Sequence, residues 1–277
     1  MPILHINGTA VPCRGILFDK DGTLLDLLAT WGTWAELVLR GLENQLALGG
    51  TGSAFDLSGV LGTAHDASGR ITGYDPAGPL AMATAEETGG ILAWQLYSSG
   101  VPWNEAMLRV NGIIKEAMEE LRVRRLAVPL PGLLPFLRQC AEAGLKLGVV
   151  TSDGDKTTAE QLDWLGIAGY FGTVVTRDRV TQGKPAPEMA ELACRELELA
   201  PEDAVIIGDS NADMQLGKGA GLCFSLGLSP DGAGAHLLDA DAVVADFRAL
   251  RITGSNHEVM RGSAAYNGSN ADIGIMD

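Results

Sequence analysis

Gly15-Ile16-Leu17-Phe18-Asp19-Lys20-Asp21-Gly22-Thr23-Leu24 is an apolar run that stops abruptly at two carboxylates spaced one residue apart. It reads as a buried strand delivering acids to its carboxyl end. Side chains at i and i+2 leave an extended chain on the same side, so Asp19 and Asp21 face one way. Gly22 permits the sharp exit that keeps both open to a crevice, and open α/β sheets bind ligands at such strand ends. A calcium loop is one alternative for Asp-x-Asp-Gly, but it requires glycine at the sixth position and glutamate at the twelfth. Counting from Asp19, those places hold Leu24 and Thr30. A solvated turn is another, since Asp and Gly favour turns; the apolar approach Ile16-Leu17-Phe18 argues against it.

Three later segments have a related form. In Leu145-Lys146-Leu147-Gly148-Val149-Val150-Thr151-Ser152-Asp153 an apolar run again ends on hydroxyl residues. These suit contact with a phosphate oxygen, and each of Thr151, Ser152 and Asp153 reads equally as a helix cap. In Gly183-Lys184-Pro185-Ala186-Pro187-Glu188 proline suits the first turn of a helix, with Lys184 ahead of it; a lone lysine there is ordinarily surface charge. In Ala204-Val205-Ile206-Ile207-Gly208-Asp209-Ser210-Asn211-Ala212-Asp213 a buried-type strand leads into one acid, with a second four residues on. A helix beginning near Ser210 or Asn211 brings Asp213 back toward Asp209, although each acid alone also suits a cap.

Four such segments in this order resemble the haloacid dehalogenase superfamily. Its phosphatase members carry apolar residues followed by Asp-x-Asp-Gly-Thr-Leu, a strand ending in Thr or Ser, a lysine ahead of a helix, and an acidic pair after another strand. The resemblance spans residues 15–250, and its specificity resides in the four short segments, which together are far harder to meet by accident than any one. It implies an α/β fold, a Rossmann-like parallel sheet flanked by helices, with an inserted, mainly helical cap. It further implies that Asp19 attacks phosphorus to form an aspartyl phosphate and that Asp21 protonates the leaving oxygen and then activates water. Thr151, with Ser152 beside it, would contact the phosphoryl group, and Lys184 would offset charge on Asp19 and the phosphate. Magnesium, which takes a few carboxylates with water and phosphate oxygens, would be held by Asp19, Asp209 and Asp213 and by the main-chain carbonyl of Asp21, with Asp209 the stronger carboxylate candidate of the last two acids. Dehalogenases and phosphonatases of the superfamily lack the acid at position 21, so Asp21 favours a phosphatase. The layout looks most like the phosphoglycolate phosphatase group, acting on a small phosphorylated metabolite. A phosphosugar mutase and a phosphate-responsive regulatory protein that has lost turnover are the alternatives.

Composition sets outer bounds. The formal charge of -15, from 35 acids against 20 bases, argues against nucleic-acid binding through a basic field. No apolar span has the length a bilayer needs, and the amino terminus lacks the basic start and apolar core of a secretory signal, so the expected compartment is the cytoplasm and no membrane partner is expected. Cys13, Cys140, Cys194 and Cys223 are scattered without metal-ligand spacing and read as buried or free thiols. His5, His65, His236 and His257 form no catalytic pattern. The oligomeric state is left open.

Around the motifs, Ile3 to Val11 reads as a small hairpin turning at Asn7-Gly8. Residues 1–26 and 127–252 are expected to form a discontinuous catalytic core. Residues 27–126 form the cap, with helices near 31–47, 79–98 and 103–124. Within it Gly49-Gly50-Thr51-Gly52-Ser53 lacks the Gly-Lys-Ser/Thr of a nucleotide loop and reads as a connector. Trp31, Trp34, Trp94 and Trp103 could line a substrate pocket, but on apolar helix faces the preferred reading is packing. Beyond Pro131-Gly132, helices near 132–143, 156–165 and 187–198 alternate with strands near 145–151, 172–176 and 204–208, the pattern of a parallel sheet between helices. Further strands are expected near 222–226 and 242–244. The Gly/Ser/Asn-rich stretch 253–277 reads as a tail outside the catalytic machinery, with Ile273-Gly274-Ile275 able to pair with an exposed strand.

Overall fold

An Asn-Gly turn starts the fold. In the computed structural model, which describes residues 1–48, 57, 59–230 and 232–254, β1 (Ile3–Ile6) and β2 (Thr9–Pro12) run antiparallel with Ile6 opposite Thr9. Asn7 and Gly8 both take positive φ, 47° and 89°, the twist that a two-residue hairpin requires. Next comes β3 (Gly15–Phe18), buried at every residue.

The chain then leaves the core. A π-helical turn at Leu28–Gly32 runs into α1 (Thr33–Leu48). A hairpin of β4 (Thr63–His65) and β5 (Ile71–Tyr74) follows, and the Glu36 carboxylate of α1 ties it down by accepting from the Ile71 amide at 2.9 Å. After the single turn α2 (Pro79–Met82), α3 (Ala85–Ser98) and α4 (Trp103–Arg124) pack against each other and against α1. Their apolar stripes meet in a hydrophobic cluster of their own that includes Leu42, Leu92, Leu96, Val110 and Leu121. The helix expected over 79–98 is broken at Ala83 and Thr84, both extended. Thr84 caps α3 through a reciprocal capping box with Glu87, satisfying amide donors that a continuous helix would have used internally. The β4–β5 hairpin is an addition to the expected helical insert.

Back in the core come α5 (Leu133–Glu142), β6 (Lys146–Val150), α6 (Asp155–Trp164), β7 (Thr173–Val175), α7 (Glu188–Glu196), β8 (Ala204–Gly208), α8 (Asn211–Ala220), β9 (Phe224–Leu228), β10 (Ala242–Val244) and β11 (Leu250–Thr253). Six strands form one parallel sheet in the order β10-β9-β8-β3-β6-β7. Alternation along β3 sends Ile16 and Phe18 to one face, in a cluster with Phe136 and Leu137 of α5, and Leu17 to the other, with Met189, Ala190 and Leu216 of α7 and α8. Both faces are covered, which is why the strands read as continuous apolar runs. The strand order turns about β3. The chain lays β6 and β7 on one side and then β8, β9 and β10 on the other, so the crevice at the carboxyl ends of these strands opens beside β3.

β11 is an addition to the expected strands: it pairs antiparallel with β1, Ile3 opposite Thr253, and makes the first hairpin three-stranded. Thr253, where the sequence reading begins the tail, is thus hydrogen-bonded into a sheet, while 255–277, the proposed pairing segment Ile273-Gly274-Ile275 and the connector at 49–53 lie outside the described residues. All four cysteines are free, with Cys13, Cys140 and Cys194 buried and Cys223 exposed. Among the described residues no helix is long and apolar enough to cross a membrane.

Candidate active site

Each segment singled out in the sequence ends at the same crevice. Asp19 follows directly on β3, and its amide donates to the Ile207 carbonyl of β8 at 2.9 Å, fixing the strand end against its neighbour. Thr151 follows β6, and its amide is held by the Val175 carbonyl of β7 at 3.0 Å. Asp209 follows β8, while Ser210 caps α8 and Asp213 occupies its third position in a capping box. Asp19, Asp21, Thr151, Ser152, Lys184, Asp209 and Asp213 all line one cavity of about 330 Å³.

Two charge clusters share that cavity. In the first, Asp19, Asp209 and Asp213 present oxygens all within 4.8 Å of one another. A single lysine answers them, since Lys184 Nζ is hydrogen-bonded to Asp19 Oδ1 and lies 2.6 Å from Asp213 Oδ1. The second oxygen of Asp213 accepts from the Ser210 amide at 3.1 Å and hydroxyl at 2.5 Å. Asp209 Oδ1 takes a long contact of 3.4 Å from the Thr23 hydroxyl.

Two glycines make this closeness possible. Gly22 has φ +79°, and a Cβ there would sit 1.9 Å from Asp209 Oδ2; a Cβ on Gly208 would sit 2.4 Å from that of Asp213. Burial pushes the Asp19 carboxyl up to about 7; Lys184 opposes the shift and Asp213 adds to it. Asp209 is pushed well above the usual carboxylate range by burial and then by Asp19 and Asp213. Burial works against the charge on Lys184, but Asp19 and Asp213 outweigh it and raise its pKa. Three acids against one base in an enclosed oxygen-only donor set fit a hard divalent cation of the magnesium type.

In the second cluster, Lys20 is fully buried although it stands between Asp19 and Asp21 in the chain. Its Nζ lies 2.6 Å from Asp21 Oδ2 and 2.9 Å from Asp153 Oδ2, and it donates to Gln161 Oε1 of α6. Those two carboxylates outweigh burial and hold its pKa above the ordinary value. The other Asp21 oxygen accepts from Trp31 Nε1 at 2.6 Å, and the Trp31 ring centroid lies 5.7 Å from Lys20 Nζ. Asp21 is therefore clamped from the core by Lys20 and from the insert by Trp31. Thr151 Oγ1 accepts from the Asp153 amide at 3.2 Å, which leaves its hydroxyl proton free to point elsewhere.

The sequence reading assigned none of Lys20, Asp153, Gln161 or Trp31 to the site. Of the four tryptophans within 27–126, Trp34 is buried as expected, and Trp31 and Trp34 both pack in the cluster and line the cavity. Trp94 and Trp103 depart from the packing expectation, at 56% and 47% exposed, and flank Tyr97 on the surface. His236, read as uninvolved, donates from Nε2 to the Asp209 carbonyl at 2.9 Å and so braces the turn after β8.

Known proteins with this layout agree. A phosphoglycolate phosphatase from Nitrosospira multiformis is 26% identical over 238 residues, covering 84% of this chain and 92% of that protein. Among solved structures, a predicted phosphoglycolate phosphatase from Haemophilus somnus superposes with a TM-score of 0.60 at 18% identity, covering 85% of this chain and 95% of the other. A β-phosphoglucomutase from Clostridium difficile gives 0.56 at 18% identity, covering 85% and 92%. At that identity the two structures speak for the fold alone, a Rossmann-like parallel sheet with an inserted, mainly helical cap. The family model for haloacid dehalogenase-like hydrolases matches residues 13–221, three quarters of the sequence, and the chain belongs to that family of enzymes.

Proposed function

We propose that the protein is a magnesium-dependent phosphatase that hydrolyses a small phosphate monoester through an aspartyl phosphate on Asp19. The observation that carries this reading is that Asp19 and Asp21 line one cavity, the first in an acid-rich cluster with a lysine, the second clamped by two donors. The phosphoglycolate phosphatase named above, similar over most of both chains, supports the same reaction class.

On this reading an Asp19 oxygen attacks phosphorus and the bond to the leaving oxygen breaks, while Asp21 gives that oxygen a proton. Asp21 then takes a proton from water as the water attacks the phosphoaspartate, which releases inorganic phosphate and restores Asp19. Lys184 neutralises charge shared between Asp19 and the phosphoryl oxygens, and Thr151, with its oxygen already engaged by the Asp153 amide, has its proton to donate to one of them. Ser152 lines the same cavity. Asp19, Asp209 and Asp213, with the main-chain carbonyl of Asp21, would hold magnesium, which lowers the repulsion between nucleophile and substrate. Phosphoryl transfer draws its acceleration mainly from such positioning and charge compensation. We read 1–26 and 127–252 as the catalytic core, 27–126 as the cap that roofs the cavity, and 253–277 as dispensable for turnover.

The test is magnesium-dependent hydrolysis of a panel of phosphate monoesters by the native protein and by Asp19→Asn. We expect a loss of about 10⁴-fold or more in kcat on removing the nucleophile. Equal rates in the two proteins would exclude covalent catalysis at this residue.

A further inference from the structure

The cavity's lining joins two kinds of chemistry. Asp19 and Lys184 make the core's part of the wall charged, whereas the part from the cap is mostly apolar, with Trp31, Trp34, Leu80, Met82 and Met118, and has Thr84, Thr88 and Arg122 as its polar members. Trp31 and Trp34 meet edge to face with centroids 5.7 Å apart, giving that part an aromatic wall. Among the described residues, the lysines and arginines that line the cavity are Lys184 and Arg122. Both are engaged, Lys184 by Asp19 and Asp213. Arg122 Nε binds Glu160 of α6 at 2.9 Å, and its Nη1 lies 3.7 Å from Glu119. Five carboxylates, those of Asp19, Asp21, Asp153, Asp209 and Asp213, face the same space.

A leaving group with a negative charge of its own would be desolvated here beside apolar walls and acids, with both cations of the described lining already paired to carboxylates, and such a mismatch works against binding. We propose that the cap's part of the lining selects phosphate monoesters of uncharged alcohols with an apolar or aromatic body, and disfavours substrates carrying a second anionic group. The inference rests on the phosphatase reading above and sharpens it away from phosphoglycolate, whose alcohol carries a carboxylate. A cavity of about 330 Å³, at the small end of the 300–1,000 Å³ typical of small-molecule sites, suits a single ring or short chain beyond the phosphate.

The experiment compares kcat/KM of the native protein, with magnesium, on benzyl phosphate, hexyl phosphate, phosphoglycolate and a hexose bisphosphate, and measures calorimetric binding of benzylphosphonate against carboxymethylphosphonate. We expect the two uncharged alcohols to be favoured by about tenfold or more, and benzylphosphonate to bind more tightly by a similar factor. Met82→Lys, at a side chain 45% exposed and so tolerant of the change, should shift the ratio of phosphoglycolate to benzyl phosphate turnover upward by about tenfold. Turnover with phosphoglycolate equal or preferred would overturn the inference while upholding the phosphatase. Absence of turnover on all four esters together with selective binding of benzylphosphonate would do the opposite. No turnover and no binding preference would remove both, and an unchanged ratio in Met82→Lys counts against the selectivity.

Discussion

The two charge clusters flanking the cavity are built from the same residue types and solve opposite problems. Around Asp19 three acids meet one lysine, and burial raises the pKa of two of those acids; around Asp21 two acids share a buried lysine with a glutamine and an indole donor to complete the set. The first cluster is under-compensated and invites an external cation. The second is better compensated, with two acids to one lysine although burial raises the Asp153 carboxyl there too, and it holds one carboxylate in a fixed place. A buried charge is tolerated where it is paired and hydrogen-bonded, so the contrast separates a site made to receive something from one made to stay still.

Removing Lys20 attacks the better-compensated side hardest. Lys20→Met leaves Asp21 and Asp153 facing each other without their shared cation, and we expect kcat/KM on an alkyl phosphate to fall by about 10²–10³. On 4-nitrophenyl phosphate, whose leaving oxygen needs no proton, the fall should be about tenfold or less. Equal losses on both substrates would show that Lys20 supports only the fold. On the cation-seeking side, Asp209→Asn should weaken magnesium binding, measured as the concentration for half-maximal activity, by about 10–100-fold, while leaving the ratio between the two esters unchanged. A changed ester ratio with unaltered metal dependence would erase the distinction between the clusters.

The smallest effect concerns acidity without metal. The folded-state pKa of Asp19, about 7, lies above its ordinary 3.8, so the folded chain holds that proton more tightly than the unfolded one. Its contribution to stability is therefore lost as pH rises from about 4 through 7, and Asp209 acts in the same direction. In EDTA, Asp19→Asn should flatten this decline and melt about 5 °C above the native protein at pH 8, with little difference near pH 4. Magnesium should narrow the gap at pH 8. A native protein that gains stability across this range would contradict the raised pKa values of this buried cluster.

Much of this arrangement was legible in the sequence for a definite reason. Core strands buried on both faces must be continuous apolar runs, so β6, β7 and β8 fall within a residue or two of their expected places, and β6 and β8 end where Thr151 and Asp209 are delivered to the crevice. The break ahead of α3 also had a local signal, since Thr84 and Glu87 have the spacing of a capping box. β4, β5 and β11 left little trace. They are three or four residues long, partly exposed, and stabilised by partners distant in sequence or by the side chain of Glu36. Lys20 was hidden more deeply. Nothing between two aspartates announces a buried side chain, because its burial depends on Gln161 and Asp153 arriving from α6 and the loop before it. Trp31 was ambiguous for a related cause: its indole packs like a core residue while its N–H reaches Asp21.

The central place of β3 has one more consequence. Position 19 is synthesised early, yet its lysine comes from 184 and its companion acids from 209 and 213, set down only when β8 and α8 dock beside it. On the proposed mechanism a nascent or partly refolded polypeptide would carry an inert aspartate, and regained turnover would mark the docking of β8 and α8 beside β3, not the first collapse of the chain.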